Sequence, residues 1–396
     1  MGLNPIPLPG APALEPGQPL RVAGVLSGTS ADGIDVALVE IAWSPGRAEG
    51  ARLVAFASEP FEPELAGRVR RVLDGEAIGL GETAYLHRDL GLAFGGAVAR
   101  LGREQDWAPH IVGSHGQTVW HHDGEGGRGP ASLQLGDGDF VAEAAGAGTV
   151  SDFRQADMAA GGDGAPLSAY ADDLVFREAG LPLAVLNLGG MGNLSWLDGE
   201  KVLAFDTGPA GALLDGLARK LLGQPMDRDG AAAGRGQPVP ELVAGLMKHP
   251  FLARPLPRST GRDTFGEAWV LEFSERASQL GTSPQDTLRS AVEFVALSVV
   301  LGAKNHLPSL PERLLVAGGG VHHAPLMAAL ETHLKRPVAP SSAVGVDPDA
   351  REALVFAVLA ARFFVEECVT RPEATGARAG RLLGKWSPAP FLRKAP

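Results

Sequence analysis

The residues best placed for chemistry are one aspartate at the end of an apolar strand and three turns rich in glycine. Asp206 ends the apolar run KVLAFD and opens FDTGPAGALLD (Phe205 to Asp215). A carboxylate there, partly withdrawn from water, suits a general base, because burial raises its affinity for a proton toward a useful range. The same side chain could instead cap the helix that follows. The turn SGTSADGID (Ser27 to Asp35) gathers two glycines, three hydroxyls and two carboxylates within nine residues. Its amides and hydroxyls can wrap phosphate oxygens while Asp32 or Asp35 holds a hydrated magnesium ion. An ordinary Gly/Asp hairpin turn is the plainer reading, and the GK[ST] ending of a Walker A loop is absent.

LLVAGGGVHH (Leu314 to His323) sets three glycines after an apolar strand, where a flat adenine or ribose can approach the backbone; a tight strand-to-helix turn reads equally well. The GxGxxG spacing of a dinucleotide site is missing. In GSHGQTVWHH (Gly113 to His122), His115 sits among small residues and suits a hydrogen bond to a sugar hydroxyl. The adjacent pairs His121–His122 and His322–His323 read as surface or turn residues, since neighbours on an extended strand face opposite ways, and no metal site is assigned. Glu352 falls in the first turns of a helix, where an acid favours the helix dipole. PRSTGRDTF (Pro257 to Phe265) carries two arginines and fits an anion-facing loop or a connector.

The elements that must position these residues follow from hydrophobic pattern. Arg21–Leu26 and Val36–Ile41 read as an apolar hairpin around the first turn, and 63–103 has helical spacing. A strand follows at His110–Gly113. The stretch 124–130 reads as an exposed loop, and 149–166 as a second turn-rich, ligand-like segment. From Leu183 the opening pattern recurs as LAVLNL, GGMGN, LSWL and KVLAF, so two hairpins with glycine turns head the two halves and suggest a duplicated fold. Ser283 with Pro284 and Asp286 signals a helix start, and so does Asp347 with Pro348, whose helix is expected to run to about Glu367. A helix is expected over Pro325–Leu334. The expected division is a flexible tail over 1–20, an N-terminal domain over 21–165, and a C-terminal domain over 166–345. The last helical segment, 346–385, is expected to pack back on the first domain.

Composition bounds the rest. At 396 residues, 45% hydrophobic and 20% charged, the chain suits two globular cores. A net charge of −11 without clustered Lys or Arg argues against nucleic acid as a partner. The single cysteine, Cys368, lies in an apolar stretch and reads as a buried core thiol; it allows no disulfide framework. The Pro/Gly-rich start lacks the pattern of a signal peptide, and the longest apolar run, Phe294–Ala303, is too short to span a bilayer, so the protein reads as cytoplasmic.

Taken together, SGTSADGID, GSHGQTVWH, DFRQADMAAGGDGAPL, LNLGGMGNLS, FDTGPAGALLD, RSTGRDTF, LLVAGGG and DPDAREALVFA resemble, in order, the motifs of the anhydro-N-acetylmuramic acid kinase family. That family belongs to the actin/hexokinase/Hsp70 superfamily. The resemblance implies an α/β fold of two RNase H-like domains with ATP in the cleft between them, and a homodimer. It implies a reaction in which ATP and water open a 1,6-anhydro bridge while O6 is phosphorylated, giving N-acetylmuramic acid 6-phosphate in cell-wall recycling, with Mg2+ accompanying ATP. By this resemblance Asp206 is the base and Glu352 a second carboxylate. Ser27, Gly28, Thr29, Ser30, Ala31, Asp32, Gly33 and Ile34 match the first phosphate loop, Gly189 and Gly190 the second hairpin, and Gly318, Gly319 and Gly320 the adenosine region. His115 and Arg154 match sugar contacts. Ala31, the GMGN run, Ala210–Gly211 and DFRQAD depart from the usual family residues, and the last bears on how the sugar's lactyl carboxylate is held. The alternatives are a kinase for another sugar and a nucleotide-gated sugar-binding protein without turnover. A nicotinamide-dependent oxidoreductase is disfavoured by the missing fingerprint.

Overall fold

Seven strands build the first sheet of the computed structural model, which describes residues 8–14, 17–28, 31, 33–122, 128–199, 202–369 and 372–390. The strands are β1 (Leu20–Ser27), β2 (Gly33–Ser44), β3 (Arg47–Pro60), β4 (Ile111–His122), β5 (Ala131–Leu135), β6 (Gly148–Ser151) and, from the far end of the chain, β12 (Lys385–Ser387). Their order is β12-β6-β4-β1-β2-β3, with β5 paired to β4. The first three strands are antiparallel neighbours, whereas β4 runs parallel to β1 and β6 parallel to β4. Both faces of β1 and β2 are buried, which explains why their sequences read as near-continuous apolar runs.

One face of this sheet takes helix Leu80–Glu104, whose Leu86, Leu90, Phe94 and Val98 meet Val25, Val36 and Leu38 in a single core. The other face takes helix Arg351–Phe364, so close that side chains have been dispensed with. A Cβ on Gly24 would overlap Ala353 O, and one on Gly113 would overlap Phe356 O. Glycine at these two positions lets helix backbone rest directly on strand backbone.

The second sheet contains β7 (Leu183–Leu188), β8 (Met191–Leu197), β9 (Val202–Pro209), β10 (Leu314–Ala317) and β11 (Val338–Pro340), in the order β11-β10-β7-β8-β9. Again three antiparallel strands come first, and β10 is parallel to β7. With β5 set aside as a side strand on β4, the run β3-β2-β1-β4-β6 matches β9-β8-β7-β10-β11, so the repeat seen as a pattern in sequence is a repeat of topology. This is the RNase H-like arrangement. Helix Pro284–His306 covers the second sheet, starting where expected: Ser283 Oγ accepts from Asp286 N at 3.1 Å and Pro284 opens the first turn. Helix Ala324–Leu334 also matches expectation.

The chain divides into two compact units: residues 1–177 with 352–372 and 377–396, and residues 178–351 with 373–376. From the sequence the boundaries fall at 165 and 345; the compact units part after Arg177 and Arg351. Among the described residues no helix is long and apolar enough to cross a membrane.

Three local expectations need correction. The last helix begins at Arg351, not Pro348; Pro348 O accepts from Gly318 N at 2.9 Å, a bond to a distant segment that holds this stretch outside the helix. Asp347 instead closes a turn, its Oδ1 accepting from Asp349 N at 3.0 Å. That helix ends at Phe364, and Glu366 turns the chain into the left-handed region at φ 60°. Cys368 follows this turn and is exposed rather than buried. SHGQTVWHH is not a connection after a short strand: it continues β4 to His122, with an irregularity at 114–116 that inserts His115.

Candidate active-site residues

In the second unit Asp206 stands on β9, opposite Asn193 of β8. The β8–β9 register slips by one residue beside this pair, next to Gly192. Asn193 Nδ2 donates to Asp206 Oδ1 at 3.0 Å, and the Thr260 N–H donates to Oδ2 at 2.8 Å. Two donors on separate segments thus fix the plane of the carboxylate. Asp206 is not the cap of helix Gly211–Leu222: that position belongs to Ala210, and no side chain caps it. The structural alternative weighed from sequence is therefore set aside.

The segment Arg258–Thr260, out of the RSTGRDTF motif, lines the free edge of β9. Asp206 N donates to Arg258 O at 3.3 Å, and Arg258 Nε donates to Asp206 O at 2.9 Å. Arg258 is buried between Phe205 and Phe251, with ring centroids 5.2 and 5.1 Å from its guanidinium carbon. Burial brings its pKa down to about 10, against an opposing pull from Asp206. Asn193, Arg258 and Thr260 are the residues that sequence reasoning missed. The arginine pair in PRSTGRDTF was the available signal, but nothing in the sequence tied it to Asp206.

Gly189 and Gly190 form the turn between β7 and β8. Their carbonyls accept from Gly211 N, Ala210 N and Ala212 N at 2.9, 2.9 and 3.0 Å, so the first amides of helix Gly211–Leu222 bind the turn rather than an anion. Gly318 has φ 80° and Gly320 lies flush on Leu188; a Cβ on Gly318 would come within 2.9 Å of Asn187 Oδ1. These two glycines let the turn lie on the end of β7, while Gly319 faces open space. Beside them lies a cavity of about 600 Å³ lined by Val321, His322, Ser342, Asp347 and Asp349. His322 Nε2 is 3.1 Å from Asp349 Oδ2.

In the first unit the turn after β1 is pinned at Gly28, whose carbonyl accepts from Ala31 N at 3.1 Å and from Gln117 Nε2 at 3.2 Å. Gly33 is pressed against Glu59 O, with 2.5 Å for an added Cβ. Ala31 and Ile34 are buried in the core of this unit, which makes them supports of the turn. Thr29, Ser30 and Asp32 lie outside the described residues. Gln117, also missed from sequence, is fully buried; its Oε1, Ser27 Oγ and Ser114 Oγ have no hydrogen-bond partner among the described residues.

His115 and Arg154 are brought together. Arg154 Nε donates to His115 Nε2 at 3.1 Å, which puts the imidazole proton on Nδ1, facing Gly116 O at 3.2 Å. The ring stacks on Phe356 at 4.4 Å. Burial, helped by the neighbouring Arg154 charge, holds the His115 pKa well below 6.5, so the ring is neutral. Both ring nitrogens being engaged, His115 serves to orient Arg154, which also donates from Nη1 to Gly164 O at 2.7 Å. Glu352 is half-buried in the first turn of helix Arg351–Phe364.

The family model described as anhydro-N-acetylmuramic acid kinase matches residues 20–389. A protein of that name from Gloeobacter violaceus is 37% identical over 379 residues, covering 94% of this chain and 99% of its own. Another from Xanthomonas oryzae pv. oryzae is 40% identical over 386 residues, covering 96% and 100%. Among solved structures, the activator of 2-hydroxyisocaproyl-CoA dehydratase from Clostridium difficile, with bound ADPNP, matches at 10% identity and a TM-score of 0.42 over 88% of this chain and 96% of that one, a likeness too distant to bear on function. The family model spans nearly the whole chain, and both relatives match along nearly their full length: the chain belongs to the anhydro-N-acetylmuramic acid kinase family.

Proposed function

We propose that the protein is an ATP-dependent kinase acting on 1,6-anhydro-N-acetylmuramic acid. Water adds to C1, its proton passes to Asp206, the C1–O6 bond breaks, and O6 takes the γ-phosphoryl group of ATP. The products are N-acetylmuramic acid 6-phosphate and ADP. The substrate has no free 6-hydroxyl, so the base must act on water, and in-line transfer then needs positioning more than covalent help from the protein.

The observation that carries this reading is the Asp206 carboxylate, fixed by Asn193 and by the Thr260 amide at the end of β9 and not engaged as a helix cap. Arg154, oriented by His115, is the proposed anion contact for the sugar's lactyl carboxylate, in a stretch with fewer arginines than the family norm. Ser27 to Gly33 and Gly189–Gly190 are proposed to face the phosphates, the Gly318–Gly320 turn the adenosine, and Glu352 is kept as the second carboxylate of the reaction. Mg2+ would draw negative charge from the phosphates. By the family resemblance the ion would come with ATP; Asp32, its candidate ligand, is outside the described residues. A homodimer working in the cytoplasm in cell-wall recycling completes the proposal, on the family resemblance.

The test is ADP release with ATP, magnesium and the anhydro sugar, run beside N-acetylmuramic acid and N-acetylglucosamine. Turnover confined to the anhydro sugar and lost in Asp206→Asn supports the reading. Turnover of a different sugar, or ATP binding with no turnover, overturns it.

A further inference from the structure

We propose that Arg258 is a positioning residue for Asp206, fixing the orientation of its carboxylate and keeping it ionised. This rests on Asp206 being the base. Strand β9 is at the edge of the second sheet, so its outward backbone groups need partners from elsewhere. Arg258 supplies both for Asp206: its carbonyl accepts from Asp206 N and its Nε donates to Asp206 O. Two residues on, the Thr260 N–H takes Oδ2. One short segment thus holds the aspartate at three points.

The charge on Arg258 makes little sense as a stabilising device. The side chain is 2% exposed, lies between two phenylalanines, and among the described residues no carboxylate is within ion-pair distance of it. Nη1 donates to Leu252 O at 3.3 Å, and Nη2 has no acceptor among the described residues. A cation kept in such a slot is costly, and a Met of similar length would fill it without that cost. With a pKa of about 10 the group is still a cation at neutral pH. The other charged and titratable groups around it are Asp206, Arg254 and His306; the ring of His306 packs edge-on to Phe205 at 5.2 Å, and burial with the Arg258 charge keeps it neutral. Asp206 is therefore the group positioned to benefit: a buried positive charge beside a carboxylate favours its ionised, proton-accepting form.

The experiment measures kcat against pH from 5 to 9 for wild type, Arg258→Met and Arg258→Lys with ATP and the anhydro sugar, and Tm for each. The expected result is an Arg258→Met protein with Tm at or near that of wild type, kcat lowered about 10- to 100-fold, and the acid limb of kcat moved up by about one pH unit, as removal of a nearby opposite charge requires. Arg258→Lys keeps the charge and holds the acid limb at its wild-type position, with a smaller loss of kcat. If Arg258→Met does not fold, Arg258→Gln, which retains a donor for Asp206 O, carries the same comparison. An acid limb unmoved in the neutral variant overturns the proposal while wild-type turnover leaves the kinase reading intact. Absence of wild-type turnover removes both.

Discussion

In the first sheet the loop between β1 and β2 is wide, its last paired residues being Leu26 and Asp35; in the second the matching loop closes on Leu188 and Gly192. The wide loop is gripped from a neighbouring strand, by Gln117 on Gly28 O. The narrow one is gripped by the first amides of a helix on Gly189 O and Gly190 O. The third strands differ in a similar way. Near the end of β3, Glu59 forms a half-exposed ion pair with Arg100 on helix Leu80–Glu104. Near the end of β9, Asp206 is held by an amide side chain and a backbone N–H, beside a buried arginine. One topology thus carries two carboxylates near matching ends, and what surrounds each decides whether it is a surface charge or a candidate base.

The contrast breaks most sharply at Asp206. Asp206→Asn is expected to lower kcat about 10³-fold, within the range for loss of a general base. The new NH2 can keep its contact only if the Asn193 amide flips to present its oxygen, so stability falls by about 1 kcal/mol, read by urea denaturation. Next come the sheets' opposite tolerances for volume. Gly24→Val drives a side chain into Ala353 O and is expected to destabilise by about 3 kcal/mol. On β7, by contrast, Leu186 fills a side-chain core, and the loss comes from removing volume: Leu186→Ala costs about 2–5 kcal/mol.

Acid stability gives a smaller, graded effect. His115 in the first unit and His323 in the second both have pKa values held below 6.5, chiefly by burial. As pH falls through 6.5 the unfolded chain binds protons that the folded chain refuses, so stability present above that pH declines below it, at up to about 1.4 kcal/mol per pH unit for each such group. The Tm is expected to drop between pH 7.5 and 5.0, with a shallower drop in His115→Asn, which also raises KM for the sugar by releasing Arg154. The smallest effect is expected at Glu59→Gln: under about 1 kcal/mol, as for exposed ion pairs, and kcat within about twofold of wild type. A large loss of activity there would mean that the two third-strand carboxylates are less different than their surroundings make them.

Much of this was determined by sequence alone. Apolar runs broken by glycine turns gave both hairpins, and Ser283-Pro284 marked its helix start, because strand pairing across a turn and helix capping depend on residues a few positions apart. Eight ordered motifs were enough to identify the family. The partners of the site residues were decided only in the tertiary structure. Arg258 and Thr260 reach Asp206 from more than fifty residues away, and Arg154 reaches His115 across thirty-nine. The glycines of β1 and β4 owe their identity to a helix more than two hundred residues later. The start of the last helix is of the same kind: Pro348 reads as a first-turn proline, yet in the structure its carbonyl is bonded to Gly318, thirty residues earlier, and the helix begins at Arg351. Local pattern records which backbone shapes a segment favours, but a hydrogen bond between distant segments exists only once the sheets that carry them have formed.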